Sequence, residues 1–247
     1  MNADEGRRRP TVAILSGAGI STDSGIPDYR GPNGLWRRDP GAEKLVTYET
    51  YMNDPEVRRR AWQVRLNSPA LRAEPNAAHR AVAELDRSGV PVRVLTQNVD
   101  GLHQRAGLPE RKVLELHGNA RTVECTGCGA RGPMTEALER VAAGEADPDC
   151  RGCGAVLKSA TVMFGQRLDP EVLGSAVAVA RACRIFIAVG TSLQVQPAAS
   201  LAGLAAGQGA RLIIVNAEPT PYDALADEII RAPIGESLPA LLAGLAA

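Results

Sequence analysis

The chain has 247 residues, of which 45% are hydrophobic and only 3% aromatic, and its 28 Lys plus Arg are matched by 28 Asp plus Glu. That length buries a sizeable core and fits one large domain or a main domain with a small lobe. The charge balance excludes a global attraction to nucleic acid or an anionic membrane, so partners must be chosen locally. No stretch is as apolar and as long as a secretory core or a membrane span, and a soluble, cytoplasmic protein is expected.

In chain order, "TVAIL" (11–15) reads as a strand, apolar throughout as a parallel strand covered on both faces should be. It runs into "SGAGIS", where Gly17, Ala18 and Gly19 let a pyrophosphate approach the backbone at a helix start. This is not the dehydrogenase fingerprint, because the third glycine of GxGxxG falls at Thr22. Residues 24–60, with "SGIPDYRGPNGLW", are too rich in Gly and Pro for regular structure and read as a long functional loop. Helices are predicted over 55–66 and over 76–88, the second capped by Asn76. The strand "VRVL" (92–95) then ends in "TQNVDGLH". There Asn98 and Asp100 serve either turn formation and capping or ligand binding.

"VLEL" (113–116) is a further strand candidate, followed by His117, one of only three histidines. The other two, His79 and His103, read as surface or packing residues. Residues 119–160 look like an inserted lobe without a core pattern of its own, holding "CTGCGA" (125–130) and "CRGCGA" (150–155). Two CxxC pairs in a reducing compartment predict one Zn ion held by Cys125, Cys128, Cys150 and Cys153. Four thiolates close the coordination sphere, so the metal is structural, and binding of about 10–16 kcal/mol would hold the lobe together. His117 is not needed as a ligand.

Beyond the lobe, a helix is predicted over 170–182, then Cys183 as a buried thiol, then the strand "RIFIAV" (184–189) ending in "GTS". A helix over 197–207, the strand "RLIIV" (211–215) ending in "NAE", and a helix along "SLPALLAGLAA" complete the chain. Strands alternating with helices make an α/β fold. The polar clusters at the strand ends converge on one crevice, where open α/β sheets bind ligands.

The segments "GAGISTDSGIPDYRG" (17–31), "TQNVDGLHQRAG" (96–107), "ELHGN" (115–119), the CxxC pairs, "FG" (164–165), "GTSLQVQP" (190–197) and "IVN" (214–216) resemble the sirtuins, NAD-dependent protein lysine deacylases. The "GPNGLW" loop is similar to the subgroup that includes the animal nuclear sirtuins. The resemblance implies a Rossmann-like parallel-sheet domain (1–118 and 161–247) with a small zinc-ribbon lobe (119–160), whose helical part falls within 35–75. It implies NAD as cofactor, acyl-lysine proteins or peptides as partners, and neither nucleic acid nor membrane. The products would be nicotinamide and O-acyl-ADP-ribose.

By the same resemblance, the acyl oxygen attacks C1′ of the nicotinamide ribose and His117 is the general base, with Asn98 and Asp100 also catalytic. Cofactor contacts are implied for Gly17, Ala18, Gly19, Ser21, Asp28, Tyr29, Arg30, Trp36, Gln97, Asn98, Asp100, Gly190, Thr191, Ser192, Asn216, Ala217, Glu218 and Ile234. Tyr29 stands where an aromatic screens the reactive ribose. A substrate peptide is expected to add as a strand between "VMFG", through Val162, Phe164 and Gly165, and "SLQV", through Val195. Gln166 replaces an acid common after "FG". Trp62 and Arg65 align with a pair that reads acidic acyl groups, but an arginine-rich helix face is more simply a solvated one, and acetyl is the expected acyl group. An ADP-ribosyltransferase and a non-catalytic NAD-sensing zinc module are the rival readings.

Overall fold

The computed structural model describes residues 11–29, 31, 34–39 and 41–246, the side chain of Trp36 excepted. Its elements are β1 (Val12–Ser16), α1 (Leu35–Arg38), α2 (Tyr48–Asn53), α3 (Pro55–Leu66), α4 (Ala77–Arg87), β2 (Val92–Thr96), α5 (Leu102–Arg105), β3 (Val113–Glu115) and β4 (Gly118–Cys125). They continue with β5 (Arg131–Pro133), α6 (Met134–Ala142), β6 (Leu157–Thr161), α7 (Pro170–Ala182), β7 (Ile185–Val189), α8 (Ser200–Gly207), β8 (Arg211–Val215), β9 (Glu228–Ile230) and α9 (Ile234–Ala246).

Six strands form one parallel sheet in the order β3-β2-β1-β7-β8-β9. Because side chains alternate along a strand, each central strand feeds two cores. Val12 and Ile14, Ile185 and Ile187, and Ile213 and Val215 point to the face covered by α4 and α9. Ala13 and Leu15, Phe186 and Ala188, and Leu212 and Ile214 point to the face covered by α7 and α8. Burial on both faces is why these strands are apolar without interruption. As expected, Asn76 caps α4, its Oδ1 accepting from the Ala78 and His79 amides.

A second, antiparallel sheet, β5-β4-β6, carries the two CxxC knuckles. The expectation that residues 119–160 lack a core is overturned. Met134, Ala137, Leu138 and Val141 of α6 pack with Val123, Leu157 and Trp62 of α3, an amphipathic face closed by a residue from outside the segment. The helix expected over 55–66 is α3, but the stretch ahead of it is more regular than expected, with α1 and α2 inside it. Its Leu45 and Tyr51 pack with Ala61 of α3 on Met163.

The solvated-face reading of α3 holds for Arg59 and Arg60 but fails at Trp62 and Arg65. Trp62 is 0% exposed, and the Arg65 guanidinium lies 5.2 Å and 5.5 Å from the ring centroids of Trp62 and Tyr51. The Tyr51 hydroxyl donates to the Leu157 carbonyl at 2.8 Å, tying the helices to the second sheet. Among the described residues no helix is long and apolar enough to cross a membrane.

Trp62→Ala is expected to cost about 3–5 kcal/mol in urea unfolding. Trp62→Phe should cost far less, because the indole N–H it removes has no partner among the described residues.

Candidate active site

From β1 the chain builds outward to β2 and β3, then returns to β7 on the other side, so the switch point lies between β1 and β7. That is where parallel sheets open a ligand crevice. The loops after these two strands lie on each other: a Cβ on Gly17 would stand 2.6 Å from the Gly190 carbonyl, and one on Gly190 only 2.4 Å from the Ile20 nitrogen. The missing side chains of Gly17 and Gly190 thus serve loop-to-loop packing. The Gly17 and Gly19 amides are already spent, on the Val189 and Gly190 carbonyls.

The loop after β2 is held from both sides. The Asn98 Nδ2 donates to the Gly17 carbonyl (3.0 Å) and to Ser21 Oγ (3.2 Å), and its backbone amide donates to Thr96 Oγ1. Both amide hydrogens being engaged, Oδ1 is the atom left to accept. The carboxylate of Asp100 accepts from Ser21 Oγ (2.8 Å) and from the Leu102 amide two residues on, an Asx turn leading into α5, whose N-cap is Gly101. The turn-forming and ligand readings of this loop are therefore compatible. Gln97 Nε2 donates to Thr191 Oγ1 at 2.9 Å, bringing the third strand end to the same place.

His117 hangs from this loop. Its Nδ1 is 2.9 Å from the Gln97 carbonyl. A carbonyl only accepts, so Nδ1 carries the proton and Nε2 presents its lone pair. Burial holds its pKa below the ordinary histidine value, although the Gln97 bond opposes this, and the ring is neutral at pH 7.

Beneath the crevice, His79 and His103 are buried, not at the surface, with their rings edge to face at 5.0 Å. Ser16 Oγ donates to Thr96 and so accepts from His103 Nε2, both at 2.9 Å. Asn76 Oδ1, 3.0 Å from His79 Nδ1, accepts there in the same way. Burial lowers the two pKa values to about 4 for His79 and about 3 for His103.

The remaining expected contacts are spread around this centre. Asp28 accepts from the Gly31 amide, and Tyr29 is 41% exposed. Arg30 and the Trp36 side chain lie outside the described residues. Ala18 begins the 3-10 turn Ala18–Ser24, and the Ile234 end of α9 sits against that turn, a Cβ on Gly235 falling 2.4 Å from Asp23 Oδ2. Asn216 closes the loop after β8 by donating to the Glu218 carbonyl, past Ala217. Ser192 is half-buried beside Thr191.

The peptide stretch is less open than strand addition supposes. Val162 N donates to the His117 carbonyl, Phe164 N to that of Val46, and Tyr48 N to that of Phe164. Gln166 closes its own turn, its Oε1 accepting from Met163 N. Ser192–Val195 is not a strand: Leu193 has φ 51°, and the Val195 carbonyl accepts from Ala199. Phe164, 38% exposed, and Gly165 remain at the surface.

The metal centre lies in the second sheet. The ligand atoms of Cys125, Cys128, Cys150 and Cys153 all fall within 4.8 Å of one another, with Sγ separations of 3.4 Å (Cys125 to Cys153) and 3.7 Å (Cys128 to Cys150). A tetrahedron with Zn–S of about 2.3 Å has edges of about 3.8 Å. The Gly127 and Cys128 amides point at Cys125 Sγ, as thiolate ligands require. The set fits one structural Zn ion without His117.

A model of the Sir2 family matches residues 17–197. The chain belongs to the Sir2 family. It is 74% identical to NAD-dependent protein deacetylase 2 of Streptomyces coelicolor, over 96% of this chain and 98% of that protein. It is 43% identical to NAD-dependent protein deacylase 2 of Archaeoglobus fulgidus, over 94% and 89%. A solved Sir2 with p53 peptide and NAD+ superposes with TM-score 0.85 at 31% identity, covering 99% of this chain and 98% of that one. Another, with deacetylated p53 peptide and 3′-O-acetyl ADP-ribose, gives TM-score 0.86 at 33% identity, covering 95% and 93%.

In this Sir2 protein the inward-facing hydroxyls of Ser16 and Thr96 escaped the sequence reading. A hydroxyl ending an otherwise apolar strand was the signal available for both.

The histidine pair sets an acid limit. Both folded pKa values lie below the unfolded value of about 6.5, so the unfolded chain binds more protons between them. Their contribution to stability is whole above pH 6.5 and falls on acidification toward pH 4. Thermal melts across that range should show Tm decreasing with pH, and a flat profile contradicts the assignment.

Proposed function

We propose that this Sir2 protein removes acyl groups, acetyl foremost, from protein lysines at the expense of NAD, releasing nicotinamide and O-acyl-ADP-ribose. The observation that carries the reading is His117, neutral and with Nε2 unprotonated, hung one residue from Asn98 on the loop that also presents Asp100. The relatives named as deacetylases and the Sir2 structures with peptide and NAD+ support it.

Bound NAD supplies the ribose carbon that the acyl oxygen attacks. Every other task falls to the chain. Ala18 and the 3-10 turn after β1 take the diphosphate, using amides other than those of Gly17 and Gly19. Thr191, Ser192, Asn216, Ala217, Glu218 and Ile234 hold the ribose and adenine. Asn98 Oδ1 accepts from the nicotinamide carboxamide, and Ser21 and Asp100 fix the nicotinamide ribose. Tyr29 closes over that ribose against water. His117 Nε2, unprotonated, would serve as the base for a ribose hydroxyl of bound NAD.

An acyl-lysine peptide enters beside Phe164 and Gly165, with Val162 and Val195 framing it. The Arg65 guanidinium lies over two rings, and acetyl remains the acyl group expected. The small lobe, 119–160 with α2 and α3, borders the cleft from the zinc side. A reducing cytoplasm keeps its thiolates available for the metal.

With an acetyl-lysine peptide and NAD, His117→Ala should lower deacetylation by about 10²- to 10⁴-fold, read as O-acetyl-ADP-ribose by mass spectrometry. Equal turnover by the variant removes His117 from the mechanism. ADP-ribose found on protein in place of the free product makes the enzyme a transferase. Faster turnover of succinyl than acetyl peptide overturns the acyl assignment.

A further inference from the structure

Where β4 runs beside β6, its pairing breaks. Gly118 and Asn119 face Thr161 and Ala160, and the register resumes only at Val123 opposite Ser159, so Ala120, Arg121 and Thr122 have no partner on β6. The excursion is used elsewhere. His117 Nδ1 donates to the Gln97 carbonyl (2.9 Å), the Ala120 amide to the Val99 carbonyl (2.9 Å), and Arg121 Nε to the Asp100 carbonyl (3.2 Å). Three successive bonds thus lace residues 117–121 to the loop 97–100.

Arg121 is the only charged donor of the three. Its own amide is turned by Asn119 Oδ1 (2.7 Å), and Asn119 is anchored on Glu115 (2.7 Å), which also accepts from Gln104 of α5 (2.8 Å). The guanidinium stem lies over Gly101, where a Cβ would be 3.3 Å from Arg121 Nε. A side chain at residue 101 would crowd the arginine there, and the φ of +71° itself favours glycine. Arg121 is half-buried, and its Nη2 is buried with no partner among the described residues.

We infer that Arg121 is a positioning residue for the NAD-cleaving step, fixing Asp100 through its carbonyl and so tying the zinc-bearing sheet to the loop that grips the nicotinamide ribose. The inference rests on the proposed role of Asp100. Charge-assisted bonds of this kind are stronger than neutral ones. Without it the Asp100 carboxylate keeps Ser21 and Leu102 as partners, while the Asp100 carbonyl loses its charged donor and the loop is held to residues 117–121 by the two neutral bonds alone.

The test is steady-state nicotinamide release from NAD with a saturating acetyl-lysine peptide. Arg121→Met keeps the stem over Gly101 and removes every donor. It should lower kcat/KM for NAD about tenfold, with KM for the peptide and zinc content unchanged. Arg121→Lys reaches the carbonyl without the planar fork and should fall between, about threefold below wild type. It decides the matter alone if Arg121→Met does not fold. Values for NAD within error of wild type in the folded variants overturn the role, as does a matching rise in KM for the peptide. A wild type that releases no nicotinamide overturns the deacylase reading itself, and with it this inference.

Discussion

The hydrogen bond from His117 Nδ1 to the Gln97 carbonyl is the interaction on which the site depends. It is the next rung of a ladder. Thr96 pairs with Glu115 at the end of β2 and β3, and Leu116 N then donates to the Thr96 carbonyl. The next step of that register sets Gln97 against Leu116, and the Gln97 carbonyl takes its hydrogen from the ring of His117, one residue further on. A parallel sheet thereby fixes the tautomer of a side chain that lies beyond its last strand residue.

The same residue joins the two sheets. Its ring belongs to the first, while its carbonyl accepts from Val162, next to β6 of the second. Gly118 makes the transition: at φ +73°, with the Ala160 carbonyl 2.1 Å from any added Cβ, only glycine fits. The zinc ion and the core around Trp62 therefore act on the chemistry indirectly, by keeping β4 and β6 where this crossing needs them. His117 stands just before β4 and Cys125 ends it, and the imidazole is not among the four candidate metal ligands.

Much of this could be read in the residues, and what could not has physical reasons. The strands β1, β7 and β8 betrayed themselves because burial on both faces leaves their middles apolar, with a polar residue only at an end, Ser16 in β1 and Arg211 in β8. β9 did not, being three residues at a sheet edge with Glu228 and Ile229 turned partly outward. The small-lobe core was missed because its central residue, Trp62, is remote in sequence from α6, and no local period reveals a partner so far away. Arg65 looked solvated for a related reason: Trp62 is its neighbour one turn back on α3, but Tyr51, on α2, comes to it only through tertiary packing. The site motifs gave the residue types at the crevice, but not which hydrogens of Asn98 were spent or which nitrogen of His117 was bare. Those follow only from distances.

The most direct test of the account is the protonation of His117, read by ¹⁵N NMR of labelled imidazoles and assigned with the His117→Ala variant. A neutral ring protonated on Nδ1 at pH 7, titrating below the ordinary value of about 6.5 as burial requires, is the predicted result. A proton on Nε2, or a midpoint above 6.5, would contradict it.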